Sequence, residues 1–251
     1  MSSRVRIDQL LVDRGLAESR ARAQALLMAG LVIVAGKKID KAGTQVRDDV
    51  AIEMKGQDHP WVSRGGLKLV EALERFHIDV TAKIAVDVGA STGGFTDVLL
   101  TRGAAKVYAV DVGHGQLAWK LRSDERVVVL ERTNARYLGA EQIPEPVDMV
   151  VCDASFIGLE TVLPAALVLA KDGAVLVALI KPQFEVGKGR VGKGGVVREP
   201  ELHEEVCERI TAWLPTNPGW RVEGLCDSPI KGPEGNKEFL IVGRKCVPVS
   251  N

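Results

Sequence analysis

The stretch from Ile84 to Phe95 constrains this chain more than any other. Ile84–Val88 is a short apolar strand that runs straight into Gly89-Ala90-Ser91-Thr92-Gly93-Gly94 and then into a helical segment. Glycines at a strand-to-helix turn let the backbone pass close to a ligand, and open parallel sheets bind ligands at the carboxyl ends of their strands. The pattern repeats downstream. Apolar strands at Val107–Val110, Val127–Leu130, Val147–Cys152 and Val175–Ile180 alternate with helices. Such alternation predicts a parallel sheet covered on both faces. A helix over Leu67–Phe76 precedes the first strand. A helix over Leu202–Leu214 and two last strands, Arg221–Cys226 and Glu238–Val242, follow. The expected fold class is α/β.

The N-terminal part follows another plan. Arg6–Arg14 reads as an amphipathic helix with Ile7, Leu10 and Leu11 on one face and Gly15 as its stop. Ser19 can cap a second helix, whose apolar side is Ala23, Leu26 and Leu27 and which ends at Gly30. Leu31–Ala35 is then a strand, Gly36-Lys37 a tight turn, Lys38–Asp40 the return and Val50–Glu53 a further strand, closed by the polar stretch Lys55–Pro60. This predicts a small α+β domain over 1–58, a linker over 59–62 and a large domain over 63–246. The whole chain carries 33 basic and 33 acidic residues, but residues 1–40 hold an excess of three positive charges, a modest basic patch suited to nucleic acid.

Composition excludes several classes. Hydrophobic residues make up 46% and charged residues 26%, which describes a folded domain rather than a disordered chain. The longest clean apolar run, Ala174–Ile180, is far too short for a membrane helix, and the charged N-terminus is no secretory signal. Cys152, Cys207, Cys226 and Cys246 show no metal-ligand spacing, so no metal site and a reducing, cytoplasmic location are expected. Gly187–Gly195 is a glycine-rich basic segment that reads as a surface loop.

The glycine turn has a partner. Asp111 ends the second strand, 22 residues after Gly89, where an acid can accept hydrogen bonds from both hydroxyls of a ribose. An adenosine-containing cofactor follows from the two together. A dinucleotide fingerprint would have glycine where this turn has Ser91, the position that admits a pyrophosphate. S-adenosylmethionine is therefore favoured over NAD. Thr133 or Asn134, after the third strand, stands where topology would bring it to the adenine.

Four charged residues sit where elements should end. Asp153 closes the fourth strand, Lys181 closes the fifth and Glu238 opens the last, while Lys68 occupies the start of the helix leading into the first. If the last strand runs antiparallel, two lysines and two carboxylates converge on one sheet edge beside the cofactor. A lysine flanked by acids and partly desolvated can orient a ribose hydroxyl and take its proton.

The order Lys68…Asp153…Lys181…Glu238 resembles the K-D-K-E tetrad of the FtsJ-type ribose 2′-O-methyltransferases. Over residues 6–242 the chain resembles the TlyA family of ribosomal RNA cytidine-2′-O-methyltransferases, also described as haemolysins. The pieces that carry the likeness are SRGGLKL (63–69), GASTGGFTDVLL (89–100), DVGHGQLAWKLR (111–122), VVVLERTNAR (127–136), DASFI (153–157) and KPQFEVGKG (181–189). The resemblance implies a Rossmann-like seven-stranded methyltransferase sheet with an antiparallel final strand, and cytidines of ribosomal RNA in ribosomal subunits as substrate. It also implies that residues 6–36 form an RNA-binding domain of the ribosomal-protein-S-four type, with Arg4, Arg6, Arg20, Arg22 and Lys37 as RNA contacts. His59-Pro60-Trp61-Val62 matches the family's linker, with His59 where arginine is usual. Two other readings compete: a non-catalytic RNA-binding or assembly protein on a methyltransferase fold, and a haemolysin-like membrane-active protein.

Overall fold

The computed structural model describes residues 4–14, 16–17, 19–54, 59–187 and 189–246, so Gly15, residues 55–58 and Lys188 lie outside the described residues. The chain divides into two compact units, residues 1–60 and 61–251.

The smaller unit comprises β1 (Arg4–Arg6), α1 (Ile7–Asp13), α2 (Arg20–Met28), β2 (Val32–Val34), β3 (Lys37–Lys38), β4 (Gln45–Arg47) and β5 (Ile52–Met54). Its core is the apolar face expected of the two helices. Ile7, Leu11, Ala23 and Leu27 are fully buried and pack with Val32 and Val34. The Ser19 side chain caps α2 by accepting from the Arg22 N–H at 3.2 Å. Two details differ from the sequence expectation. The turn after β2 is made by Ala35 and Gly36, both in the left-handed region, one residue earlier than Gly36-Lys37. The short strands β1 and β4, which pair antiparallel, carry no period that marks them in the sequence.

The larger unit comprises α3 (Gly65–Arg75), β6 (Ile84–Val88), α4 (Gly94–Thr101), β7 (Lys106–Val110), α5 (Trp119–Arg122), β8 (Val127–Leu130), β9 (Val147–Cys152), α6 (Leu159–Val162), α7 (Pro164–Leu169), β10 (Ala170–Ile180), α8 (Pro182–Glu185), α9 (Pro200–Trp213), β11 (Trp220–Asp227) and β12 (Phe239–Lys245). Trp61 and Val62, expected in the linker, belong to this unit. Trp61 packs in its core beside Gly66, and the Val62 N–H donates to Asp97 at 2.8 Å.

One seven-stranded sheet organises the unit, in the order β11-β12-β10-β9-β6-β7-β8. Pairings among β10, β9, β6, β7 and β8 are parallel, whereas β12 runs antiparallel to both β10 and β11. Alternate residues of β10 serve opposite faces. Leu176, Ala178 and Ile180 join the core on one side, and Val175, Val177 and Leu179 the core on the other. That explains why the buried strands read as continuous apolar runs. β10 begins earlier than expected, at Ala170, across an irregularity in its pairing with β9. The last strand begins at Phe239, so Glu238 stands just before it.

Candidate active site

The site lies at the carboxyl edge of the parallel strands. Gly89 follows β6 with φ +82°, and a Cβ there would come within 2.8 Å of the Ala154 Cα. A Cβ on Gly94 would come within 2.3 Å of the Ser63 Oγ. The turn thus needs glycine both for its backbone angle and for close approach to the loop after β9 and the chain entering α3. Ser91 adopts φ +49°, an uncommon left-handed conformation for a side-chain-bearing residue. In that conformation its N–H donates to the Asp111 carboxylate at 2.8 Å, and the Gly113 N–H donates to the other oxygen at 2.7 Å. The glycine turn and its expected acid are therefore one unit, with the carboxylate oriented by two amides.

Two adjoining cavities flank this unit, of about 310 and 380 Å³. Both fall in the range of roughly 300–1,000 Å³ usual for small-molecule sites. Gly89, Ala90, Ser91, Thr92 and Gly94 line the first, with Lys68, Asp153 and Lys181. Asp111, Thr133 and Asn134 line the second, and Gly89, Ser91 and Asp153 border both. Gly93 stands apart from the lining, packed beneath Leu121. Asn134 also accepts from the Arg136 N–H at 3.1 Å, which holds its side chain at the wall.

The four expected charges meet. Lys68 Nζ donates to Glu238 Oε2 at 2.7 Å and lies 3.6 Å from Asp153 Oδ2. Lys181 Nζ lies 2.6 Å from Asp153 Oδ1 and donates to the Asp153 carbonyl and the Ser155 Oγ. The chain Glu238–Lys68–Asp153–Lys181 is nearly dry: both lysines and Glu238 are buried, and only Asp153 keeps about a fifth of its side chain exposed. The antiparallel β12 is what brings Glu238 here, because Phe239 pairs with Ile180 and the next residue up from each pair is Glu238 beside Lys181.

Several residues near this chain were not singled out from sequence. Asp87 is fully buried; one carboxylate oxygen accepts from the Thr96 N–H and hydroxyl, and the other has no partner among the described residues. Burial pushes its pKa up to about 7, with the nearby Asp153 charge adding to the rise. Its position inside the apolar strand was the available signal. Phe156 is 90% exposed at φ +66°, its ring tilted by 49° against that of Phe184 with centroids 5.0 Å apart, and it lines the second cavity. An aromatic so exposed is legible only once the fold is known.

Residues 61–245 match the family model described as FtsJ-like methyltransferase. The chain belongs to the FtsJ-like methyltransferase family. Residues 5–52 match the S4 domain. A Mycobacterium tuberculosis protein named 16S/23S rRNA (cytidine-2′-O)-methyltransferase TlyA is 52% identical over 242 residues, covering 96% of this chain and 90% of that protein. Hemolysin A of Brachyspira hyodysenteriae is 41% identical, covering 94% of this chain and 98% of its own. Among solved structures, a Streptococcus thermophilus protein carrying the hemolysin name superposes with a TM-score of 0.76 at 44% identity, over 98% of this chain and 90% of that one. No helix among the described residues is long and apolar enough to cross a membrane.

In the S4 unit of this methyltransferase, Arg6 and Arg20 converge on Asp8, at 2.9 and 3.2 Å. The bond from Arg6 holds the buried Asp8 carboxyl well below the usual range, so it stays ionised and offsets part of the arginines' charge. Arg4, Arg22 and Lys37 are exposed and have no carboxylate partner among the described residues.

Proposed function

We propose that the chain methylates the 2′-hydroxyl of cytidine ribose in ribosomal RNA, using S-adenosylmethionine. The observation that carries this reading is the dry chain Glu238–Lys68–Asp153–Lys181 at the wall of a cavity shared with the glycine turn. The tightly packed turn, the amide-oriented Asp111 and the orphaned Asp87 oxygen suit a cofactor with a ribose and a charged amino-acid end. S-adenosylmethionine supplies an electrophilic methyl on a sulfonium. Asp111 would accept from the cofactor's ribose hydroxyls, and Thr133 or Asn134 would meet its adenine.

The methyl acceptor is a weakly acidic hydroxyl. Lys181, held by Asp153 and Ser155, would orient that hydroxyl and, in its neutral form, accept its proton as the oxygen takes the methyl and the methyl–sulfur bond breaks. Lys68, fixed by Glu238, keeps Asp153 in place. Holding the reactants in line is worth roughly 7–11 kcal/mol in favourable cases. Phe156, exposed where it lines the second cavity, offers a face on which the target base stacks. In the S4 unit, Arg4, Arg6, Arg20, Arg22 and Lys37 would contact RNA phosphates. The names of the M. tuberculosis relative and the S4 match support ribosomal RNA as substrate.

The direct test is tritiated methyl incorporation from S-adenosylmethionine into ribosomal subunits of a strain lacking this activity, followed by mapping of ribose methylation. Label at cytidine 2′-O is the expected result. Tight RNA binding without methyl transfer would replace the reading with a non-catalytic assembly role. Asp111→Ala should weaken cofactor binding tenfold or more in calorimetry, since a carboxylate's hydrogen bonds are each worth about 1.5–3 kcal/mol. Unchanged affinity would move the adenosine elsewhere.

A further inference from the structure

The catalytic unit neutralises most of its own cations. Lys83 pairs with Asp148, Arg102 with Glu74, Lys106 with Glu145 and Lys120 with Asp97. Lys68 and Lys181 are satisfied by Glu238 and Asp153. Two exposed cations that line the same 310 Å³ cavity are different. Arg64 and Lys231 have no carboxylate partner among the described residues.

Their positions are tied to the site by their neighbours. Arg64 precedes Gly65, whose Cβ, if present, would lie 3.5 Å from Asp153 Oδ2. Lys231 precedes Gly232, whose Cβ would lie 2.1 Å from Glu238 Oε1. Each cation is thus one residue from backbone pressed against a site carboxylate. One approaches from the start of α3, the other from the loop joining β11 to β12. The β11–β12 loop is itself held down: the Gly232 N–H donates to the Asn236 carbonyl, and the Ser228 N–H to the Glu238 carbonyl, each at 2.9 Å. Ser228 Oγ donates to the Ile230 carbonyl at 2.7 Å.

Two exposed cations on different walls of one cavity, without a carboxylate partner among the described residues, call for anions. The cavity wall then carries four cations, Arg64, Lys68, Lys181 and Lys231, against the carboxylates of Asp87 and Asp153, with Glu238 behind Lys68 as a third. A ribose presented to Lys181 within an RNA strand brings one phosphate on its 3′ side and one on its 5′ side. We propose that Arg64 and Lys231 form a clamp that grips the RNA phosphates flanking the target ribose and so sets its depth in the site. This rests on the reading of the site as a ribose methyltransferase. The clamp acts on the strand irrespective of base, because phosphate contacts position the nucleic acid while base contacts specify it. It also supplies RNA contact from the catalytic unit itself.

The test uses the full chain with Arg64→Gln, Lys231→Gln and the double variant, with Arg64→Lys and Lys231→Arg as charge-preserving controls. Three quantities are read: KM and kcat for unmethylated ribosomal subunits, S-adenosylmethionine affinity by calorimetry, and the slope of log subunit affinity against log salt. Each glutamine variant should raise KM roughly tenfold with a smaller effect on kcat, as expected for loss of a charged hydrogen bond made at binding. The salt slope should become shallower by about 0.7 per cation removed, so by about 1.4 in the double variant. Cofactor affinity should stay within about twofold, and the charge-preserving variants should keep most of the native KM and slope. An unchanged KM and slope in the double variant would overturn the clamp. So would a parallel loss of cofactor affinity, which would assign the cations to the cofactor's carboxylate. If the unsubstituted chain transfers no methyl to any subunit, the functional reading falls, while the binding slope still decides the clamp.

Discussion

Lys181→Ala abolishes methyl transfer while leaving cofactor affinity nearly intact: this is the expected result with the largest effect on activity. Lys181 is buried, lies 2.6 Å from Asp153 Oδ1 and donates to Ser155 Oγ, so its amine is held on three sides and has little freedom to point elsewhere. It lines the first cavity and not the second, where Asp111 is found. Removing a positioned proton acceptor costs about 10²–10⁴-fold in rate. Lys181→Arg should fail almost as badly, because a guanidinium does not surrender its proton near neutral pH. Asp153→Ala should also be severely impaired, yet its loss should not add fully to that of Lys181→Ala, since members of one unit share one role. The assay is methyl incorporation into subunits, with calorimetry for the cofactor. An active Lys181→Ala enzyme would reduce the lysine to a strand-end charge that braces Asp153.

The largest effect on stability is expected at Glu238. Its carboxylate is fully buried and holds Lys68, itself 8% exposed at the side chain, at 2.7 Å. Glu238→Ala leaves that ammonium in a dry site with only Asp153, 3.6 Å away. Removing one partner of a buried pair costs about 3–5 kcal/mol, because the remaining charge is stranded. For a unit of this size that lowers Tm by roughly 6–20 °C. Lys68→Met combined with Glu238→Leu should be milder than Glu238→Ala alone, since no charge is left stranded, although methyl transfer is lost in both. Thermal unfolding of the three proteins decides it. A Glu238→Ala protein melting within a degree or two of the native one would mean that water or a moved Asp153 satisfies Lys68, and that the pair contributes little to the fold.

The strands of the large unit were legible to the residue in several cases. β6, β8 and β9 match the expected ranges because each is a short apolar run bounded by turn residues, and a strand buried on both faces has no alternation to confuse its limits. The helices of the S4 unit were legible through Ile7, Leu10 and Leu11 and through the Ser19 cap. β1 and β4 were not, because strands of three residues gain their definition from each other, across some forty residues, rather than from their own pattern. The turn at Ala35–Gly36 was misplaced by one residue because an alanine at positive φ leaves no mark in the sequence. Trp61 and Val62 read as linker because nothing local reveals that Gly66 and Asp97 receive them.

The site divides in the same way. Sequence alone determined the glycine turn, its acid Asp111 and the four charges at element ends, since strand ends and glycine spacing are properties of short windows. The meeting of Glu238 with the others on one edge hung on the direction of the last strand, which its antiparallel pairing with β10 decides. Only the tertiary structure decided that Glu238 holds Lys68 while Asp153 holds Lys181. It alone showed that Ser91 and Asp111 are one hydrogen-bonded unit, that Asp87 is buried with one oxygen unpartnered among the described residues, and that Arg64 and Lys231 share a cavity. The reason is physical. Backbone permissiveness and apolar periodicity act between near neighbours in the chain, but the choice of partner for a buried charge depends on the register of β12 against β10 and on where α3 begins. The paired residues Lys68 and Glu238 stand 170 positions apart. Which lysine meets which acid is settled only when the sheet and its helices close over them and exclude the water that would otherwise solvate each charge separately.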